Sequence, residues 1–311
     1  MGVYHLAGLG TSPGAITVPL SYIYYFLVEA YKNNNLEARN FFSGSGEASG
    51  NENWPGKPEA LILFSSQEVL DGRIRSQGVR DNIFQTTGNS VIEYITNYIT
   101  NLYSHFNIEE QNKIKYIYGL KVNFSNFEDC FKKIYITMKA LADKEVWVNL
   151  VGGANQINLS LMLASSFTLV PRRLYYVFEW DQTRNTISNY LHPINKFQNF
   201  NSLFNNWLEI PLLFVDINEL RNLYNTLNQK EVINIGQLEQ ILQNAGLTPP
   251  NRYIPKLRGV LVNIIDDEVS KTNLFDRIMN LIPQDNNSPN NFPKWKQWAS
   301  RENILYTIYE Q

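Results

Sequence analysis

The sequence predicts an α/β fold with a Rossmann-like, doubly wound and mainly parallel sheet, followed by a smaller and mainly helical domain. Over the first two thirds of the chain, short apolar segments alternate with longer segments of helical periodicity. The apolar segments are continuously hydrophobic, as strands are when helices cover both faces of a parallel sheet. Beyond about residue 200 helical stretches dominate. We therefore predict one domain over residues 1–200 and a second over residues 201–311.

Five apolar segments are the predicted strands of the first domain. They are Val3–Leu9, Ala60–Phe64, Lys115–Leu120, Glu145–Val151 and Arg173–Glu179. The predicted helices between them are a stretch that ends near Tyr31, then Val91–Phe106, Phe127–Asp143 and Asn158–Phe167. Residues 43–58 are rich in Gly, Ser, Asn and Pro, which predicts a loop.

The second domain contains three predicted helices, Asn218–Gln229, Ile235–Ala245 and Arg252–Asp266. The segment Gly246–Pro250 has the composition of a turn between helices, which allows a winged-helix module. Basic residues follow that turn at Arg252, Lys256 and Arg258. Acidic residues lie close by, at Asp266, Asp267 and Glu268. We favour a module that stabilises a dimer, and nucleic-acid binding remains the alternative.

Composition and charge exclude several function classes. The 311 residues carry a formal net charge of -2, so no general basic field attracts duplex DNA or long RNA, and a polyanionic partner needs a local pocket. The single cysteine, Cys130, excludes an internal disulfide and a multi-Cys zinc site. The three histidines lack the spacing of metal ligands, so we expect no metal. Apolar runs are too short to span a bilayer, and we expect a cytoplasmic protein without membrane contact.

Two loops that join a predicted strand to a helix contain the main candidate site residues. Ligands of doubly wound sheets bind outside the carboxyl ends of the strands, at the topological switch point. The first loop offers backbone close to a ligand, two hydroxyl groups and a helix N-terminus, which together suit a phosphate; it consists of Gly10, Thr11, Ser12, Pro13 and Gly14. The second offers amide groups that suit adenine edges or phosphate oxygens; it consists of Gly152, Gly153, Ala154, Asn155 and Gln156.

Ordinary nucleotide cofactors fit these loops poorly. The dinucleotide fingerprint G-x-G-x-x-G begins with Gly8 and Gly10, but Pro13 occupies the position of its third glycine. No P-loop lysine follows either loop. NAD and ATP are therefore disfavoured, and we expect no cofactor.

Taken together, the two loops resemble the ligand-binding motifs of CARF domains, the CRISPR-associated Rossmann folds of type III CRISPR systems. The resemblance covers about residues 1–180, and the second loop has Ala154 and Asn155 where the family pattern has Thr and Lys. It implies that the ligand is a cyclic oligoadenylate, with cyclic tetra-adenylate favoured. It also implies a homodimer whose twofold axis runs through the pocket.

In the ring nucleases that this family includes, the first-loop hydroxyl and the second-loop lysine align a ribose 2′-OH against its own phosphate. The matching residues here are Ser12 and Asn155, which are the implied catalytic residues. Such cleavage needs no metal, but an amide stabilises developing charge less than a cation does, so we expect slow turnover or none.

Further residues after the second and third strands are candidates for the ligand pocket. They are Ser65, Ser66, Gln67, Arg73, Arg75 and Lys121. Arg73 or Arg75 could supply the charge that Asn155 lacks, and the alternative is that both belong to a solvated surface loop.

Three functions agree with these features. The first is a stand-alone ring nuclease that ends a type III CRISPR signal, and the second is a non-catalytic sensor that acts as a transcription regulator or adaptor. The third is an unrelated nucleotide-binding enzyme, which would be favoured if the two loops lay far apart. The Arg-His spacing of HEPN ribonucleases and the motif of metal-dependent nucleases do not occur after residue 200, so an effector nuclease is not expected.

Overall fold

The computed structural model describes residues 2–43, 45, 54–73, 90–177, 200, 204–210, 217–244, 248–259, 261–283 and 288–311. The chain forms two compact units. The first contains residues 1–165, 169–212 and 288–311, and the second contains residues 213–287 with residues 166–168.

The first unit contains strands and helices in alternation. Its strands are β1 (Val3–Gly8), β2 (Pro58–Ser65), β3 (Tyr116–Lys121), β4 (Glu145–Asn149), β5 (Pro171–Val177), β6 (Trp207–Ile210) and β10 (Leu305–Glu310). Its helices are α1 (Gly14–Tyr31), α2 (Leu36–Phe41), α3 (Gln67–Leu70), α4 (Val91–Phe106), α5 (Phe127–Ala140), α6 (Asn155–Thr168) and α11 (Phe292–Arg301).

Within the described residues, these strands form a seven-stranded sheet in the order β10-β3-β2-β1-β4-β5-β6. The five central strands are parallel, whereas β10 and β6 run antiparallel at the two edges. The parallel strands follow each other from β1 to β3 on one side and from β4 to β5 on the other. This order confirms the predicted Rossmann-like fold and places the topological switch point between β1 and β4.

Aromatic packing dominates the core of the first unit. All six residues of β1 are buried, and Trp147 in β4 stacks on Phe42 with ring centroids 6.2 Å apart. Tyr175 in β5 stacks on Trp207 in β6 at 4.3 Å, which joins the edge strand to the sheet. Rings of this size bury large apolar areas, so they stabilise the packing on this face of the sheet.

Most helices of the first unit begin at the residue that local capping favours. At the start of α4, Ser90 accepts a hydrogen bond from the N–H of Glu93, and the Glu93 carboxylate accepts one from the N–H of Ser90. At the start of α5, Asn126 accepts from the N–H of Asp129. In contrast, α1 and α6 begin without any side-chain cap.

The second unit combines helices with a small antiparallel sheet. Its elements are α7 (Ile217–Lys230), β7 (Ile233–Asn234), α8 (Ile235–Asn244), α9 (Ile254–Leu257), β8 (Val262–Ile265), β9 (Glu268–Lys271) and α10 (Asn273–Leu281). The sheet has the order β7-β9-β8. The order of a helix, a short strand, two helices and a β-hairpin allows a winged-helix module. Its core includes Leu223, Leu238, Val262 and Phe275.

The predicted long helix over Arg252–Asp266 is wrong. Only α9 forms there, and the chain then enters the β8–β9 hairpin. Pro255 lies in the first turn of α9, where proline is tolerated, and Gly259 adopts a left-handed φ of +73° just after the helix, which ends it. Residues of β8 alternate between buried and exposed, the two-residue period of a strand.

The C-terminal segment belongs to the first unit, whereas the sequence suggested that the second domain extends to residue 311. The reason is long-range strand pairing, because β10 adds antiparallel to β3. Trp295 in α11 is fully buried, and its indole N–H donates to the hydroxyl of Thr137 in α5 at 2.9 Å.

Candidate functional site

The two glycine-rich loops meet at the switch point, where β1 and β4 end side by side. A Cβ on Gly8 would lie 2.6 Å from the carbonyl oxygen of Gly152, and a Cβ on Gly152 would overlap Ala15. Gly153 has a φ of +97°, and a Cβ on Gly153 would meet the backbone of Gly8. The second loop is therefore in close contact with the end of β1 and the start of α1, the two elements that flank the first loop, and glycine is required at these positions. An unrelated nucleotide-binding enzyme would be favoured if the two loops lay far apart, and they lie close together.

Asn149, the last residue of β4, connects the start of α1, directly after the first loop, to the chain that leads into the second loop. Its amide N–H donates to the carbonyl of Ala15 at 3.0 Å, and its amide oxygen accepts from the N–H of Val151 at 2.8 Å. The residue is only 3% exposed. A buried amide with both ends bonded holds each loop in a fixed position relative to the other.

The N-termini of α1 and α6 lie beside the switch point. α1 starts at Gly14, directly after the first loop, and α6 starts at Asn155, directly after the second. Neither first turn contains an acidic residue. The N–H groups of an uncapped first turn have no partner within the helix, and the helix dipole adds partial positive charge there. Two such ends beside each other suit the oxygens of a phosphodiester.

The polar side chains of both loops are accessible from solvent. Thr11, Ser12 and Asn155 are exposed, and Gln156 is half-buried. Gly10, Gly14, Gly153 and Ala154 are also half-buried, whereas Pro13 and Gly152 are buried. Around Gly10 no atom lies within 4 Å of the position that a Cβ would occupy. The site thus presents hydroxyl and amide groups around an open patch of backbone.

Ser65 lies below the surface. It is fully buried, its hydroxyl donates to the carbonyl of Leu9 at 2.7 Å, and its carbonyl accepts from the N–H of Val122 at 2.9 Å. Through these bonds Ser65 connects the ends of β1, β2 and β3, which are neighbours in the sheet. Ser66 is half-buried and Gln67, the first residue of α3, is exposed.

The candidate cations differ in their positions. Arg73 forms an ion pair of 2.7 Å with Asp71, whose carboxylate also bonds the Tyr306 hydroxyl in β10. Since β10 is three strands from β1, this places Arg73 about 14 Å to the side of the switch point. Lys121 ends β3, two strands from β1, and is half-buried. Arg75 lies outside the described residues.

His5, in the middle of β1, takes no part in this surface. It is 1% exposed, and its Nδ1 lies 3.2 Å from the Tyr175 hydroxyl. Burial lowers its pKa to about 3, so the ring is neutral near pH 7. His5 is therefore not available to the two loops as an acid or base.

Gly8 and Asn149 are site residues that the sequence did not single out. Gly8 is part of an incomplete glycine fingerprint, and Asn149 is a polar residue at the end of an apolar strand. A polar side chain at the carboxyl end of a buried strand is the signal that would have found Asn149. For Gly8, the need for glycine arises only when β4 is placed beside β1.

The described residues lack both a metal-binding cluster and a membrane-spanning helix. They contain no group of three or more His, Cys, Asp or Glu side chains arranged to hold a metal ion. Among them, too, no helix is both long and apolar enough to cross a bilayer.

No protein-family model matches the chain. One structure found in the comparison is Enterococcus italicus Csm6 bound to cyclic hexa-2'-fluoro-hexa-dAMP, with 14% sequence identity and a TM-score of 0.38. The match covers 82% of this chain and 53% of Csm6, so the chain spans about half the length of that protein. At this TM-score the ligand of Csm6 is not transferred to this chain.

The chain also matches an uncharacterized protein of Archaeoglobus fulgidus. The two are 34% identical over 294 residues, which cover 90% of each chain. Because that identity extends over nearly the full length of both sequences, this chain belongs to the same protein family as the archaeal protein.

Proposed function

We propose that the chain binds a cyclic oligoadenylate at the switch point between β1 and β4 and cleaves it slowly without a metal ion. The observation that supports this most directly is the contact of the second loop with the end of β1 and the start of α1, which places the uncapped N-termini of α1 and α6 near each other. A ligand with several phosphodiesters and no free ends matches such a site, because each helix end takes one phosphate. The loops also resemble the CARF motifs, and that resemblance implies that the nucleotides are adenylates.

The proposed reaction uses the ligand's own nucleophile. A ribose 2′-OH attacks the adjacent phosphorus, the bond to the 5′ oxygen breaks, and the proton leaves the 2′-OH as the 5′ oxygen gains one. The products are a linear oligoadenylate with a 2′,3′-cyclic phosphate and a 5′-OH. Ser12 and Asn155 supply hydrogen bonds to the phosphate oxygens and hold the attacking and leaving oxygens in line.

Slow turnover follows from the charge of the site. Asn155 donates through a neutral amide, and the Arg73 guanidinium is paired with Asp71 beside β10. Lys121 remains as a cation at the same edge, two strands away. A neutral donor stabilises the developing charge less than an ammonium group would. We therefore expect Asn155→Lys to accelerate cleavage.

The alternative is a sensor that binds the ring and leaves it intact. The winged-helix order of the second unit favours this reading, since such modules regulate transcription in other proteins. Its hairpin tip, however, contains Asp266, Asp267 and Glu268, and the Arg258 guanidinium donates to the carbonyl of Ile264 at 3.2 Å. An acidic tip repels DNA phosphates, so contact with DNA through this hairpin is not favoured.

The decisive experiment incubates the purified protein with cyclic tri-, tetra- and hexa-adenylate in EDTA and resolves the products by liquid chromatography and mass spectrometry. We expect linear products with a 2′,3′-cyclic phosphate, and we expect Ser12→Ala and Asn155→Ala to reduce their formation at least tenfold. Asn97→Ala, which removes an exposed amide from α4, is the matched control and should change nothing.

The result separates the possible functions. If a cyclic oligoadenylate binds but is not cleaved, the function of this site is that of a sensor. If none of the three rings binds, the proposal is wrong. Cleavage that disappears in EDTA but returns with a divalent cation would contradict the metal-independent mechanism.

A further inference from the structure

Phe124 is an exposed aromatic residue at the same edge of the sheet as the proposed site. It lies between β3 and α5 and is 45% exposed. The loop leaves the carboxyl end of β3, which lies parallel to β2 and β1. Its neighbours Asn123, Ser125 and Asn126 are exposed polar residues. The ring thus projects from a polar rim beside the switch point.

Hydrogen bonds fix the backbone of this loop. The N–H of Asn123 donates to the Asp129 carboxylate at 2.8 Å, and the N–H of Ser125 donates to the Asn123 side chain at 3.1 Å. The Cys130 thiol donates to the carbonyl of Asn123 at 3.3 Å. The backbone position of Phe124 is therefore set before any ligand arrives, which lowers the entropic cost of using its ring in binding.

The distance from the switch point suits a nucleotide. β3 is two strands from β1, which corresponds to about 10 Å across the sheet. A cyclic ligand whose phosphates lie at the two helix ends would direct its bases outward, toward the rim. An aromatic ring on that rim offers a face on which a base can stack.

We propose that Phe124 stacks on one adenine of the cyclic oligoadenylate; this inference rests on the proposed function. Stacking accepts any base, because every base has a π face. Phe124 accordingly contributes affinity and sets the position of the ring of nucleotides, whereas selection of adenine belongs to the amide groups of the second loop. Alignment of the 2′-OH with its phosphate then depends in part on this stack.

The test measures the dissociation constant of cyclic tetra-adenylate for the full-length protein by isothermal titration calorimetry. We expect Phe124→Ala to weaken binding about tenfold or more, because stacking contributes roughly 1–3 kcal/mol per base. Phe124→Trp should retain affinity and lose part of its added tryptophan fluorescence when the ligand binds. Tyr309→Ala is the matched control, since Tyr309 is 41% exposed but pairs with Ile117 near the opposite end of β3.

The outcomes distinguish the two proposals. If the wild type binds and Phe124→Ala binds equally well, the stacking role is wrong and the proposed function stands. If the wild type binds no ring, the proposed function fails and the stacking role fails with it. If Phe124→Ala fails to fold, the Phe124→Trp variant provides the test. Tryptophan fluorescence that stays unquenched when the ligand is bound would overturn the inference.

Discussion

Gly8, the last residue of β1, and Gly10, in the first loop, lie two residues apart, yet the structure assigns them different reasons for being glycine. Gly8 faces the backbone of the second loop, where a Cβ would approach the Gly152 carbonyl oxygen to 2.6 Å. Gly10 faces open space. The first is required by packing within the protein, and the second leaves room for a ligand.

This difference gives a pair of contrasting predictions. Gly8→Ala should lower the free energy of unfolding by about 1–3 kcal/mol, because backbone must shift to accept the methyl group. Gly10→Val should leave the free energy of unfolding within about 0.5 kcal/mol of the wild type but weaken binding of cyclic tetra-adenylate at least tenfold. Urea denaturation and calorimetry measure the two effects. Equal binding by Gly10→Val and the wild type would contradict the placement of the ligand over Gly10.

The same residues show what the sequence could reveal about the site. Thr11, Ser12 and Asn155 could be named in advance because they follow apolar strands, and the ends of parallel strands share one edge of a sheet. Gly8 could not, because its role depends on which strand lies next to which, whereas Asn149 has a sequence signal in its polar side chain at the end of an apolar strand. The structure then shows what that amide does, since it bonds Ala15 and Val151.

At the scale of elements, local periodicity predicted the parallel strands and their helices well. The predicted helix Val91–Phe106 has the observed bounds of α4, where a capping box marks its start. The hairpin of β8 and β9 was missed because its strands are four residues long, too short for a clear pattern. β10 was missed for another reason, since its partner β3 is far away in sequence.

The last helix of the first unit carries a prediction at this scale. Trp295 stacks on Phe292 at 5.5 Å and meets Tyr118 edge to face at 6.0 Å, whereas Trp298 on the same helix is only half-buried. We expect Trp295→Ala to lower the free energy of unfolding by about 3–5 kcal/mol, because it opens a cavity and leaves the Thr137 hydroxyl without its donor. Trp298→Ala should cost less than half as much. Chemical denaturation measures both, and equal losses would refute the packing role of α11.

At the scale of the whole molecule, symmetry connects the site to the oligomeric state. One chain presents one pair of helix N-termini, whereas a cyclic ligand with an even number of nucleotides can repeat its contacts about a twofold axis. On α6, Leu159 lies one turn after Asn155 and is 57% exposed. An apolar side chain next to the site is suited to contact the same helix of a second chain.

We therefore expect two chains to bind one ring. Calorimetric titration with cyclic tetra-adenylate should give about half a ring per chain, and sedimentation should show a dimer. Leu159→Glu should shift the protein toward monomer, because it places a charge where apolar surfaces meet, and should weaken ring binding. Leu36→Glu, which alters a residue 72% exposed on α2, is the control and should leave both unchanged. A monomer that binds one ring per chain would refute the shared site, and each chain would then have to hold the whole ligand with its own two loops.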